Sequence, residues 1–175
     1  MALGYFPAGT AHAGLVQSVT TFAGISTYGY DGAGRPTSRT DAATGLTTTR
    51  AYDDAGRVDV QQTTRGSQVV ASFDLSHDRA DNVVAKTVVL EGAPSSEQGT
   101  WTYAYDPAGR MSSATDPGGI ATEYGYDGAG NRTTVKEGPA PAVTTSYDGA
   151  GSPVSSSDGT SLTTDATGAL TKTCL

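Results

Sequence analysis

The sequence has a single cysteine, Cys174, so no disulfide can form within the chain and cohesion must come from packing and hydrogen bonding. Long apolar runs are missing too, and no stretch reaches the ~18 apolar residues of a membrane-spanning helix. The opening MALGYFPAGTAHAGLV has neither the basic leader nor the apolar centre of a signal peptide, so any export signal is expected elsewhere or of another kind. Basic residues are scarce: 11 Lys and Arg stand against 18 Asp and Glu, a formal charge of -7 with no basic cluster. That balance disfavours nucleic acid or an anionic membrane as a partner. Phenylalanine occurs three times and tryptophan once, too little for a conventional core. No window of roughly 11–18 residues keeps a helical apolar rhythm free of glycine or proline.

What the chain does have is turn material and strand material. It carries 23 glycines, 8 prolines and nine tyrosines, with threonine throughout. Glycine and proline interrupt helices, whereas tyrosine and threonine favour strands, so many short strands are expected.

One hexapeptide recurs. It reads YDGAGR at Tyr30–Arg35, YDDAGR at Tyr52–Arg57, YDPAGR at Tyr105–Arg110, YDGAGN at Tyr126–Asn131 and YDGAGS at Tyr147–Ser152. The last three copies start 21 residues apart and the first two 22 apart. His77-Asp78-Arg79-Ala80-Asp81-Asn82 stands where a further copy is due, with histidine for tyrosine and aspartate for glycine.

Each copy predicts a turn. The carboxylates of Asp31, Asp53, Asp106, Asp127 and Asp148 can accept from backbone amides just ahead of them. Gly34, Gly56, Gly109, Gly130 and Gly151, three residues on, suit a left-handed exit that closes a bulged hairpin. Weaker turns are expected midway, at Asp41–Gly45, Asp116–Gly119, Glu137–Pro139 and Ser157–Gly159, with a late one at Asp165–Gly168. Reversals at this spacing leave some five to seven residues per strand and describe an all-β fold, a curved antiparallel β-meander with two strands per repeat.

The strand entering each strong turn alternates with period two. Trp101, Tyr103 and Tyr105 share a face, as do Tyr28 with Tyr30 and Tyr124 with Tyr126, which predicts a tyrosine ladder between successive repeats. Arg35, Arg57, Arg110 and Arg132 are placed to cover tyrosine faces. The organisation is a glycine- and alanine-rich lead over 1–23, the repeats over 24–152 and a Ser/Thr-rich degenerate repeat or frayed tail over 153–175. Val83–Leu90 is a strongly apolar strand, and EGAPSSEQGT after it an extended surface loop. One two-stranded repeat cannot bury a face alone, so stability should depend on neighbouring repeats or a covering partner, and the chain is expected to be a segment of a longer array.

Candidate chemical sites reduce to structure. Asp53 and Asp54 adjoin but are not held across a bond as glycosidase carboxylates are. No run of oxygen ligands resembles a calcium loop, His12 and His77 lack metal-spaced partners, and Cys174 has no catalytic surroundings. Asn131-Arg132-Thr133 fits the glycosylation triplet but is equally part of the repeat. No nucleophile, base and orienting group assemble, so no catalytic, cofactor or metal residue is assigned. The alternative use of the aromatic row is glycan stacking at Trp101 and Tyr103, against which stands simple packing of the sheet.

The units Y-G-YDGAGR, YDDAGR, Y-A-YDPAGR and Y-G-YDGAGNRT resemble the YD repeat of the RHS family, and Gly45–Val58 and Gly118–Thr133 match over a whole half-repeat. The resemblance covers about residues 24–152. It implies a segment of a hollow β-shell of the kind found in bacterial polymorphic toxins, toxin complexes, wall-associated proteins and teneurins. It further implies a secreted or cell-surface setting, and as partners further YD repeats in the same or a neighbouring chain, surface glycans or an encapsulated effector. The Tyr, Asp, Gly and Arg positions named above would be framework. Asp116-Pro117-Gly118-Gly119 matches only half of the family's aspartyl self-cleavage motif and lacks its leucine, so autoproteolysis is not expected.

Overall fold

The computed structural model describes residues 1–164 and 170–174, with side chains through residue 159. It is all-β, and apart from one 3-10 turn at Ser95–Glu97 its elements are strands. The chain divides into two compact units, Met1–Asp78 with Val83–Thr100, and Trp101–Leu175 with Arg79–Asn82.

The first unit contains β1 (Ala2–Tyr5), β2 (Val16–Thr21), β3 (Gly24–Tyr30), β4 (Pro36–Asp41), β5 (Leu46–Tyr52), β6 (Val58–Arg65), β7 (Gln68–His77) and β8 (Val83–Leu90). Each pairs antiparallel with its sequence neighbour. Strands β9 (Gly99–Tyr105), β10 (Met111–Thr115), β11 (Ala121–Tyr126), β12 (Arg132–Glu137), β13 (Val143–Tyr147), β14 (Pro153–Ser156), β15 (Thr160–Thr164) and β16 (Leu170–Cys174) follow the same rule. The meander read from the turn spacing is therefore the observed topology. Strand length varies more than expected, from four residues in β1 to ten in β7. The apolar strand Val83–Leu90 has the bounds its sequence suggested. The loop after it is less extended than its composition implied: Gln98 ties it down, its Oε1 accepting from Leu90 N at 3.1 Å and its Nε2 donating to Ala93 O at 2.6 Å.

Burial is thin because the sheet in each unit is a single layer whose strands touch their sequence neighbours. Val88 is the one apolar side chain below a tenth exposed among the described residues, while Phe22, Ile25 and Ile120 lie open to solvent. Cohesion comes instead from the ladders and from paired hydroxyls across strands. Thr48 and Thr63 meet at 2.9 Å, Thr87 and Thr100 at 2.9 Å, and Thr40 and Thr47 at 3.2 Å. Threonine thus serves twice, its branched Cβ favouring the extended backbone and its hydroxyl bonding to the partner strand.

Candidate functional site: the interlocked turns

The five Tyr-Asp turns share one geometry. At the first, Asp31 Oδ1 accepts from Ala33 N at 3.0 Å and Arg35 N at 2.9 Å, and Gly34 N donates to Asp31 O at 3.0 Å. Gly34 then sits at φ 79°, the left-handed exit a side chain would strain. The same carboxylate pattern recurs at Asp53, Asp106, Asp127 and Asp148. Gly56, Gly109, Gly130 and Gly151 are likewise left-handed. A register shift sits beside each turn, as a bulged hairpin requires.

The last residue of the hexapeptide closes the turn from the side. Arg35 Nε donates to Asp31 Oδ2 at 2.7 Å, Arg57 Nε to Asp53 Oδ2 at 2.7 Å, and Arg110 Nε to Asp106 Oδ2 at 2.8 Å. Asn131 Nδ2 makes the equivalent bond to Asp127 Oδ2 at 2.9 Å, and Ser152 contributes only its backbone N–H. These donors hold the carboxylates of Asp31, Asp53, Asp106 and Asp127 below the ordinary aspartate pKa. For Asp31 and Asp53 the largest cause is the backbone N–H of Arg35 or Arg57; for Asp106 and Asp127 it is the side chain of Arg110 or Asn131.

The arginine also reaches the next repeat. The Arg35 guanidinium lies 4.4 Å from the ring centroid of Tyr52, and that of Arg110 lies 4.5 Å from Tyr126. Arg110 Nη1 also donates to Asp127 O at 3.2 Å, and Arg57 Nη1 donates to Asp78 O at 2.9 Å. Traffic runs back as well. Tyr52 Oη donates to Pro36 O at 2.7 Å, Tyr126 Oη to Met111 O at 2.8 Å, Tyr147 Oη to Arg132 O at 2.8 Å and Tyr30 Oη to Val16 O at 2.8 Å. In each case the acceptor is the first residue of the return strand in the preceding hairpin. The seams at Tyr52 and Tyr126 are thus clamped twice, once by a cation on a ring and once by a phenol on a carbonyl.

Arg132 departs from this scheme and lies 5.6 Å from Tyr124. His77 occupies the tyrosine position of the HDRADN copy, with the same register shift beside it, and Asp81 takes the glycine's left-handed conformation at φ 67°. Trp101, Tyr103 and Tyr105 are half-buried and alternate with exposed Thr100, Thr102 and Ala104, so the row faces the covered side of its strand.

The midway turns are real, and one repeats the strong geometry. Asp116 Oδ1 accepts from Ile120 N at 2.8 Å, Gly119 N donates to Asp116 O at 3.0 Å, and Gly119 has φ 84°, with Ile120 where the strong turns place arginine. Asp41 Oδ1 accepts from Ala43 N and Thr44 N ahead of left-handed Gly45. Gly138 and Gly159 are left-handed too. Sequence reasoning missed the reversal between β6 and β7, where Arg65 pairs with Gln68 around left-handed Gly66. Its only signal was the Gly66-Ser67 dipeptide. Asp165–Gly168 lies outside the described residues, and so does the side chain of Cys174. Among the described residues no group of His, Cys, Asp or Glu could hold a metal ion, and no helix is long and apolar enough to cross a membrane.

This geometry has relatives. The RHS Repeat family matches residues 12–44, 95–121 and 105–138, which contain the turns at Asp31, Asp106, Asp116 and Asp127. No curated protein matches the sequence. Among solved structures, the crystal structure of TcdB2-TccC3-Cdc42 superposes with a TM-score of 0.64 at 18% identity, over 96% of this chain and 11% of the matched one. The Tc holotoxin pore of Photorhabdus luminescens gives 0.59 at 17% identity over 90% and 11%, and TcdB2-TccC3 without its hypervariable C-terminal region gives 0.55 at 18% over 90% and 11%. At these identities the likeness is one of fold, and the chain spans about a tenth of the length of the chains it matches. The turns at Asp53 and Asp148 fall outside the matched segments yet have the same hydrogen bonds as those inside them, so one repeat architecture accounts for all five, and over the matched residues that repeat is the RHS, or YD, repeat.

Proposed function

We propose that the chain is a non-enzymatic wall segment of an RHS-type β-shell, related to the shell proteins of toxin complexes, and that its partners are further YD repeats in the same or a neighbouring chain. One observation carries this reading: the conspicuous polar residues of the repeat are spent on their own turn or on the next one. Asp accepts from its own hairpin, while Arg35 and Arg110 cover the following tyrosine and the tyrosine hydroxyl bonds to the preceding strand. Such residues build a wall that can be extended one hairpin at a time. The aspartates, arginines and tyrosines of the five turns are framework in this reading.

The same reading carries a secreted or cell-surface location and an enclosed effector as the shell's cargo. It gives glycan stacking at Trp101 and Tyr103 no support, because both rings lie on the half-buried face.

The test is to lengthen the array. Appending a second copy of residues 24–152 to the 175-residue chain should raise its melting temperature and its resistance to limited proteolysis, since each added hairpin supplies a new clamped neighbour. A longer chain that melts and is cut at the same rate would refute the reading.

A further inference from the structure

The tyrosine rings of the turns are covered in different ways. Phe6 and His12 pack on Tyr30, with centroids at 6.1 and 5.8 Å, and the guanidinium groups of Arg35 and Arg110 cover Tyr52 and Tyr126. Between the Asp127 and Asp148 turns the corresponding residue is Asn131, whose amide donates to Asp127 Oδ2 and is too short to lie over Tyr147. Here the structure has an open cleft of ≈ 500 Å³ lined by Asp127, Asn131, Thr133, Tyr147, Asp148 and Gly151 among others. Residue six faces the next turn's glycine in both seams: Arg35 Nη1 lies 3.1 Å from where a side chain on Gly56 would begin, and Asn131 Oδ1 lies 3.5 Å from the same point on Gly151.

The cleft keeps what the other seams offer a cation. Tyr147 is anchored through its hydroxyl to Arg132 O, which fixes the ring, and no cation lies over it among the described residues. Asp148 O accepts from Gly151 N, and the same carbonyl in the preceding hairpin, Asp127 O, accepts both from Gly130 N and from Arg110 Nη1. The carboxylate oxygens of Asp127 accept from the neutral N–H groups of Ala129 and Asn131, whereas the carboxylates of Asp31, Asp53 and Asp106 each face a guanidinium. A ring face, a carbonyl lone pair and an uncompensated carboxylate therefore surround a space that this same chain fills with a guanidinium elsewhere.

We propose that this cleft binds the guanidinium of an arginine side chain supplied by a polypeptide partner, with the planar cation over Tyr147 and its N–H groups directed to Asp148 O and Asp127. A guanidinium matches the site better than an ammonium, because it stacks as a plane while its forked N–H groups bond sideways. The chain's charge of -7 draws a cationic segment towards it.

The 175-residue chain with ¹³C-labelled tyrosine rings, Tyr147 being assigned through Tyr147→Phe, is titrated with N-acetyl-arginine amide and separately with N-acetyl-lysine amide. The arginine probe should shift the Tyr147 ring saturably, with a midpoint on the order of 10 mM as expected of one weakly held cation, and leave the already covered Tyr52 and Tyr126 unmoved. The lysine probe should shift it several-fold less. In Asn131→Arg, which fills the cleft from within, the response of Tyr147 should vanish while Tyr52 and Tyr126 keep their original positions. A Tyr147 ring that does not move, that moves in parallel with Tyr52 and Tyr126, that answers lysine equally, or that still responds in Asn131→Arg overturns the proposal.

Discussion

Replacing Arg110 with asparagine isolates what the arginine does beyond its own turn. The protein already contains the product of that change. Asn131 makes the side-chain bond to its aspartate at 2.9 Å, against 2.8 Å for Arg110, and both turns keep the same backbone bonds. Arg110→Asn should therefore leave the Asp106 hairpin closed and remove, besides a partly exposed ion pair with Asp106 that contributes little, the reach across the seam, namely the stack on Tyr126 and the bond to Asp127 O at 3.2 Å. The Arg110 side chain is 35% exposed, which keeps the stack near the solvent-exposed value of about 0.5–1 kcal/mol. The hydrogen bond is long and partly solvated, and adds about 0.5–1 kcal/mol. The single substitution should then cost about 1–2 kcal/mol.

A double-mutant cycle with Tyr126→Leu separates the two parts. The coupling between the positions should be about 0.5–1 kcal/mol, the share of the ring alone, since the bond to Asp127 O survives loss of the ring. Urea unfolding followed through Trp101 reports on the unit that contains this seam. With a slope of about 2 kcal/mol per molar urea, Arg110→Asn should lower the midpoint by roughly 0.5–1 M. The control cycle, Asn131→Ala with Tyr147→Leu, should show coupling below about 0.3 kcal/mol. Equal coupling in the two cycles would refute the claim that the guanidinium clamps the hairpins.

Acid should loosen the turns. The folded pKa values of Asp31, Asp53, Asp106 and Asp127 lie below the unfolded value, so their contribution is complete above a pH of about 3.9 and is lost as pH falls through the folded values. Melting followed by circular dichroism should give a steady midpoint at pH 6 and 5 and a falling one below 4, and Asp106→Asn should flatten that fall; a midpoint at pH 3 equal to that at pH 6 would contradict the hydrogen-bond assignment. Gly34→Ala should cost about 1–2 kcal/mol, because φ there is 79°. Gly32→Ala, two residues earlier and in open space, should be neutral or stabilise by about 0.4–1 kcal/mol, and thermal melts of the pair decide whether backbone conformation or crowding sets the tolerance. Hydrogen exchange should show the Tyr147 hairpin opening roughly fivefold more often than the Tyr126 hairpin, about 1 kcal/mol for the missing clamp, and equal protection would count against it.

How much of this could be read from the residues follows from the range of each interaction. The strong turns were legible because Asp and Gly act on backbone within four residues of themselves, and β8 because its four β-branched valines in eight residues favour extended backbone wherever the strand lies. The reversal at Gly66 was obscure because a two-residue turn between long strands leaves only one glycine as its mark. The sequence set the arginines near the tyrosines, but not which tyrosine. That choice depends on the register of strands some seventeen residues apart and on the bulge beside each tyrosine, and those shift Arg35 and Arg110 forward to the next hairpin while Arg132, one position later, turns to Tyr124.

The clamp also has a direction. At the Tyr52 and Tyr126 seams the cation comes from the earlier hairpin and the phenol from the later one, so a hairpin there is tied to its successor by its sixth residue and to its predecessor by its first. The two ties fail separately. Arginine to asparagine at position six removes the forward tie and keeps the turn, as at Asn131; arginine to serine removes the side-chain closure as well, as at Ser152. Tyrosine to histidine at position one gives up the phenol, as at His77, but leaves the forward tie in place through Arg57 and Asp78 O. Cohesion in a sheet without a thick core is then adjusted seam by seam through two side chains, while the aspartate and the backbone bonds that make the turn stay constant. A wall built this way can vary in firmness along its length without any change of fold, and the seam it leaves open at Tyr147 has the chemistry to accept an arginine from outside.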